Sequence, residues 1–280
     1  MSRLLCPRRI LTLGAVLALA LFNFQQARAS EAVDVELVLA VDVSLSMSPT
    51  ELDIQRDGYA AALTDQRVID AIAQGANGRI AITYFEWAGT TTHHVVVPWT
   101  VIETRQDAER IAARLSTTPP SSARRTSISS ALEFGADLFA ESQFRGAKRV
   151  IDISGDGPNN QGAPVHFTRD AVVAQGIIIN GLPLMTNGGL VSAYDVEDLD
   201  RYYADCVIGG PGAFMIPVND WSQFPEAVRR KLVLELAGTA PRPGANEGRL
   251  PVLLAQDKSG YDCMAGEKLW RDRSGMWDVR

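Results

Sequence analysis

The run Val35-Glu36-Leu37-Val38-Leu39-Ala40-Val41 is apolar but for Glu36, and it leads directly into Asp42-Val43-Ser44-Leu45-Ser46. A run this apolar and this rich in valine predicts a buried strand. A strand that ends in Asp-x-Ser-x-Ser leaves one carboxylate and two hydroxyls on the loop at its C-terminal edge. All three are hard oxygen donors, with no nitrogen or sulfur among them. Such donors suit Mg²⁺, Mn²⁺ or Ca²⁺. Mg²⁺ takes few protein carboxylates and keeps positions open for water or for a partner's oxygen.

Downstream, strand-like and helix-like segments alternate. A helix is expected over Pro49 to Leu63, with Ser48 as its N-cap and Pro49 in its first position. Strands follow over Arg79 to Phe85 and His94 to Val97. Ala88-Gly89-Thr90 between them is too short for a helical crossover, so this pair must be antiparallel. Helices are expected over Arg105 to Leu115, Ser127 to Phe139, Pro164 to Gln175, Val196 to Tyr203 and Trp221 to Leu236. Further strands are expected over Arg149 to Ile153, Ile177 to Ile179 and Ala213 to Val218. The alternation implies an α/β fold: a mostly parallel central sheet with one antiparallel edge strand and helices on both faces. Ligands of such sheets bind at the carboxyl ends of the strands.

Residues 1–29 have the make-up of a secretory signal. Arg3, Arg8 and Arg9 precede the apolar stretch Ile10 to Phe22, and Ala27-Arg28-Ala29 offers small residues for cleavage. An uncleaved anchor is the other reading, but the stretch is shorter than the ~20 residues that span a bilayer. The expected product is exported, periplasmic or secreted, with no membrane span after cleavage. Cleavage leaves 23 Lys and Arg against 33 Asp and Glu, a net charge of −10. That balance argues against nucleic-acid binding, which needs a basic face. Residues 30–237 are expected to form one α/β domain and 238–280 a linker and C-terminal tail. The mature chain keeps two cysteines, Cys206 and Cys263. In an oxidising compartment one disulfide is expected, tying the tail to the domain. The alternative is a pair of buried free thiols.

Two more segments carry oxygen donors near strand ends. Thr126 stands just before a helix in Arg125-Thr126-Ser127-Ile128, and Asp156 follows the apolar Val150 to Ile153. Together with Asp42, Ser44 and Ser46, these segments resemble the metal-ion-dependent adhesion site of von Willebrand factor type A (vWA) domains. The resemblance covers roughly residues 33–237. It implies a Rossmann-like vWA fold and a divalent ion. Ser44 and Ser46 would bind it through their hydroxyls and Thr126 directly or through water. Asp42 and Asp156 would hold coordinated waters or bind directly. The remaining position would go to water or to a partner's carboxylate. Ser154-Gly155 stands where the family often has Leu-Thr. The runs Ser154-Gly155-Asp156-Gly157-Pro158-Asn159-Asn160 and Asp205-Cys206-Val207-Ile208-Gly209-Gly210-Pro211-Gly212-Ala213-Phe214 are also similar to an exported bacterial branch of unknown function.

Each residue has a plainer reading as well. Ser44 and Ser46 can cap a helix or form turns, Thr126 can be an N-cap, and Asp156 can be a turn residue. His93 and His94 are adjacent in a strand and point to opposite faces, so they do not share a metal. Glu86 and Trp87, on the hairpin at the top of the second strand, and Asn159 and Asn160, beyond Asp156, are candidates for a partner surface; the plainer readings are a tryptophan packed at the sheet edge and a solvated loop. The expected function is therefore a non-enzymatic binding module that captures an acidic residue of a protein partner through its metal. A metal-assisted hydrolase of phosphate or ester substrates is the alternative. Against it, the sequence has no G-x-S-x-G elbow, no H-E-x-x-H and no evident general base.

Overall fold

The computed structural model describes residues 30–186, 196, 198–237, 250–255 and 260–274. The signal-like segment and nearly all of the expected linker lie outside the described residues. No helix among the described residues is long and apolar enough to cross a membrane.

The strands are β1 (Glu31–Asp42), β2 (Ile80–Trp87), β3 (His93–Ile102), β4 (Phe144–Gly155), β5 (Ile177–Pro183), β6 (Phe214–Met215) and β7 (Leu253–Leu254). They form one sheet in the order β3-β2-β1-β4-β5-β6-β7. β1 and β2 are parallel, as are β4, β5 and β6. β3 is the expected antiparallel edge strand, beside β2. The opposite edge also closes with an antiparallel pair, because the tail contributes β7 alongside β6.

The helices are α1 (Pro49–Thr64), α2 (Gln66–Ala73), α3 (Arg105–Thr117), α4 (Ile128–Glu141), α5 (Val165–Ala174), α6 (Leu199–Tyr202), α7 (Phe224–Leu236) and α8 (Ala265–Ser274). Ser48 caps α1 as expected: its hydroxyl accepts from the Glu51 N–H while the Glu51 carboxylate accepts from the Ser48 N–H. α2 was not expected from the sequence. It begins at Asp65, which accepts from the Arg67 N–H, and it buries Val68 and Ile72. Part of the stretch expected as a helix over Val196 to Tyr203 lies outside the described residues. Of the remainder, Val196 and Asp198 are not helical, and Leu199–Tyr202 is one turn of α-helix running into a π turn, Tyr203–Val207.

β1 shows why helices cover both faces. Side chains alternate across a strand, and Val35, Leu37, Leu39 and Val41 enter one apolar layer while Val38 and Ala40 enter the other. The first layer is filled by α1, α2, α3 and α7 through Leu52, Tyr59, Ile72, Ile111, Phe224 and Leu232. The second is filled by α4, α5 and α6 through Ile128, Leu132, Val165 and Tyr202. Each fully buried Leu, Ile or Phe contributes roughly 1.5–3 kcal/mol, so a strand buried on both sides fixes the centre of the molecule.

The first layer also contains charge. Lys231 of α7 is wholly buried, with its Nζ 2.8 Å from Asp152 Oδ1 and 2.7 Å from Glu235 Oε1. Asn180 donates to the same Glu235 oxygen at 2.8 Å, and the Tyr59 ring lies nearby. Burial pushes the Asp152 carboxyl up from 3.8 to about 7, helped by Glu235 and opposed by Lys231. A carboxyl raised by folding contributes stability below its unfolded pKa and loses it as pH rises through the folded value. The stability advantage of wild type over Asp152→Asn should therefore shrink between about pH 4 and pH 8. Urea unfolding of both proteins across that range checks it; a gap that grows with pH would contradict it.

Candidate metal-binding site

The chain order reverses across the sheet between β1 and β4. After β1 it builds outward to β2 and β3, then returns to place β4 on the other flank. Such a reversal opens a crevice at the carboxyl ends of the two strands. β1 ends at Asp42 and β4 at Gly155, so Asp42 and Asp156 meet at this crevice.

Three loops are pinned together there. Leu45 N–H donates to Ala123 O at 2.9 Å and Ala123 N–H to Val43 O at 3.2 Å, which ties the segment before Thr126 to the Asp42 loop. Ser127 N–H donates to Ala88 O at 2.8 Å, holding the same segment to the end of β2. Asn160 closes the third side, donating its N–H to Thr126 O at 2.9 Å and accepting from Thr126 N–H on Oδ1 at 3.0 Å.

The side chains form a continuous oxygen cluster. Asp42 Oδ1 accepts from the Ser44 N–H at 2.7 Å. The hydroxyls of Ser44 and Ser46 are 2.9 Å apart, and Ser46 donates to Asp156 Oδ1 at 2.8 Å. Thr126 is buried beside them, and α4 is capped by the next residue, Ser127, which accepts from the Ser130 N–H. The plainer reading of Thr126 as the helix cap therefore fails, because its hydroxyl has no capping duty. Ser44, Ser46, Thr126 and Asp156 line one pocket of about 510 Å³, together with Leu45, Arg124, Arg125, Asn160 and Trp270.

Asp42 lies beneath this pocket, wholly buried, and its Oδ2 has no hydrogen-bond partner among the described residues. Burial and the nearby Asp156 carboxylate push the Asp42 carboxyl well above the usual range, against the stabilising Ser44 and Asp156 N–H groups. Gly155 makes room for it: a Cβ there would lie 2.9 Å from both Asp42 Oδ2 and the Tyr203 hydroxyl. No three His, Cys, Asp or Glu side chains gather into a metal cluster among the described residues. The donor set here is instead two carboxylates and three hydroxyls, all oxygen. An orphaned buried carboxylate oxygen, two repelling acids and neutral hydroxyls at their rim fit a hard divalent cation.

Three of the four expected surface residues are corrected. Glu86 and Trp87 are buried, at 1% and 0% exposure. They belong to a strand paired on both sides, and the loop before Thr126 covers its end. Glu86 Oε1 accepts from Arg56 Nε at 2.9 Å and Nη2 at 2.5 Å, and its Oε2 accepts from Ser121 N–H and Oγ–H. Asn159 is buried too: its Oδ1 accepts from Ser129 N–H and its Nδ2 donates to Ala163 O and to Glu267 Oε1. Asn160 alone of the four lines the pocket. His94 is exposed, while His93 stacks on Phe134 at 4.7 Å.

Cys206 and Cys263 form the expected disulfide, with Cα atoms 5.5 Å apart. The bridge brings the tail further into the site than a tether implies, since Trp270 of α8 lies on the pocket wall.

Sheet order, helix placement and the crevice together define a vWA-like fold. The chain belongs to the family described as protein of unknown function DUF1194, whose model matches residues 32–240. No curated protein matches it. Among solved structures, proximal thread matrix protein 1 from the mussel byssus is similar at 15% identity and a TM-score of 0.53, over 74% of this chain and 49% of that one. The same protein with a zinc-occupied MIDAS motif gives 17% identity and 0.51, over 74% and 49%. The pilus adhesin SpaC from Lactobacillus rhamnosus GG gives 11% identity and 0.53, over 73% and 31%. The chain thus spans about half of the byssus protein's length and less than a third of the adhesin's.

Proposed function

We propose that the mature chain is an exported, non-enzymatic binding module that captures an acidic side chain of a protein partner through a divalent ion. Asp42, Ser44, Ser46, Thr126 and Asp156 would hold the ion, Mg²⁺ or else Mn²⁺ or Ca²⁺. The observation that carries this reading is the convergence of these five oxygen-bearing side chains from three loops, with Asp42 Oδ2 left unpartnered among the described residues beneath an open pocket. Bound there, the ion supplies positive charge to an incoming carboxylate. Ser44, Ser46 and Thr126 are neutral donors, so they orient without cancelling that charge. Asp42 and Asp156 provide the anionic floor. The zinc-occupied MIDAS of the byssus protein and the adhesin role of SpaC support the reading, as does the signal-like segment before residue 30.

Retention on an immobilised glutamate-rich peptide tests it. Residues 30–280 should be held in Mg²⁺, Mn²⁺ or Ca²⁺, released by chelator, and not held by the glutamine-rich counterpart. Asp42→Ala should remove the ion-dependent part. Equal retention of variant and wild type in metal and in chelator would sink the proposal.

A further inference from the structure

The tail is built into the pocket wall. Its position rests on the Cys206–Cys263 bridge, on the Tyr261 ring against Tyr202 at 5.9 Å, and on Glu267, which accepts from Asn159 Nδ2 at 2.7 Å. Gly266 sits so close to the Asp156 loop that a Cβ would stand 2.1 Å from Asn159 O. One turn further on, the Trp270 ring lies under the Arg125 guanidinium, 3.4 Å from ring centroid to Cζ.

Arg125 is itself held in an unusual conformation. Its φ of 78° is the one positive value at a non-glycine residue among the described residues. A long side chain in the left-handed region is disfavoured, and such residues persist where their surroundings over-determine them. Here the surroundings are the Ala123 and Ser127 backbone bonds on either side. The result places Arg124 and Arg125 on the same pocket as Ser44, Ser46, Thr126 and Asp156. Stacking uses the face of the Arg125 guanidinium, while its N–H donors lie in the plane and suit a carboxylate. Arg124 is exposed. Two cations on the rim of one pocket stand out in a mature chain of net charge −10.

From this geometry we infer that the pocket reads two acidic groups: one carboxylate at the ion, and a second held by Arg124 and Arg125, with Trp270 as the positioning residue for Arg125. The ligand class is an acidic peptide segment with two neighbouring carboxylate side chains. Leu45, 57% exposed on the same pocket, offers the segment an apolar contact. The inference rests on the metal-capture reading and adds the partner's second charge.

The test titrates Mn²⁺-loaded residues 30–280 with synthetic peptides carrying one Glu, or two Glu adjacent or separated by one or two residues, in a Gly-Ser background. At least one two-Glu peptide should bind about tenfold more tightly than the one-Glu peptide, the scale of one charge-assisted hydrogen bond. Arg124→Gln, Arg125→Gln and Trp270→Ala should each cut that preference, leaving Mn²⁺ affinity without peptide unchanged. Should Arg125→Gln fail to fold, Arg124→Gln and Trp270→Ala still decide the point. One-Glu and two-Glu peptides binding alike, or a preference that survives the variants, overturns this inference and leaves simple metal capture standing. If neither peptide binds to the Mn²⁺-loaded protein, both fall.

Discussion

Asp42→Asn should have opposite effects with and without metal. On the proposed reading, Mg²⁺ or Mn²⁺ at about 100 times its Kd should add about 2.7 kcal/mol to the folded state. For a domain of this size that raises the wild-type midpoint by roughly 5–10 °C. The variant should lose that rise. In chelator it should be at least as stable as wild type, because asparagine keeps an oxygen for the Ser44 N–H while removing a charge. That charge is wholly buried, lies close to Asp156 and has one oxygen without a partner among the described residues. A buried carboxylate in this position costs free energy unless a cation compensates it. Thermal unfolding of both proteins in metal and in chelator reads the crossing directly. Equal rises in both proteins would place the ion elsewhere.

The second large effect is expected in the buried charge cluster around Lys231. Lys231→Met should destabilise the domain by about 3–5 kcal/mol, because it leaves two buried carboxylates without their cation. Asp152 and Glu235 are 1% and 4% exposed as residues, so water cannot take over the role of Lys231. The loss should show as a lower urea midpoint with an unchanged slope. Adding Asp152→Asn and Glu235→Gln should recover part of it, since the amides carry no charge. A cost below about 1 kcal/mol for the single variant would mean that the three groups are not coupled as the distances indicate.

Sequence pattern anticipated what depends on local chemistry. The apolar run from Val35 to Val41, the Ser48-Pro49 helix start and the short Ala88-Gly89-Thr90 connection all formed as read. The Asp42 loop was legible from its place after a buried strand, whereas Thr126 and Asp156 joined it as one set through the resemblance to vWA adhesion sites. Lys231 and Glu235 were hidden for the opposite reason. Spaced four apart on a helix, they look like an exposed ion pair, and only the packing of α7 on the sheet buries them. Glu86 and Trp87 misled in a similar way: a polar residue at a strand end suggests a surface, yet Arg56 comes from α1 to meet it. Trp270 and Arg125 could not have been paired from sequence. Their contact depends on the disulfide and on α8 packing against Asn159, which are long-range features with no local signature.

The most direct test of the central claim is Mn²⁺ binding to residues 30–280, followed by electron paramagnetic resonance, in wild type and in Ser44→Ala/Ser46→Ala. The account predicts one bound ion per chain in the wild type, lost or greatly weakened in the variant, with the folded signature of the two proteins the same in chelator. No bound Mn²⁺ in the wild type, or the same binding after both hydroxyls are removed, would contradict a metal site at this crevice.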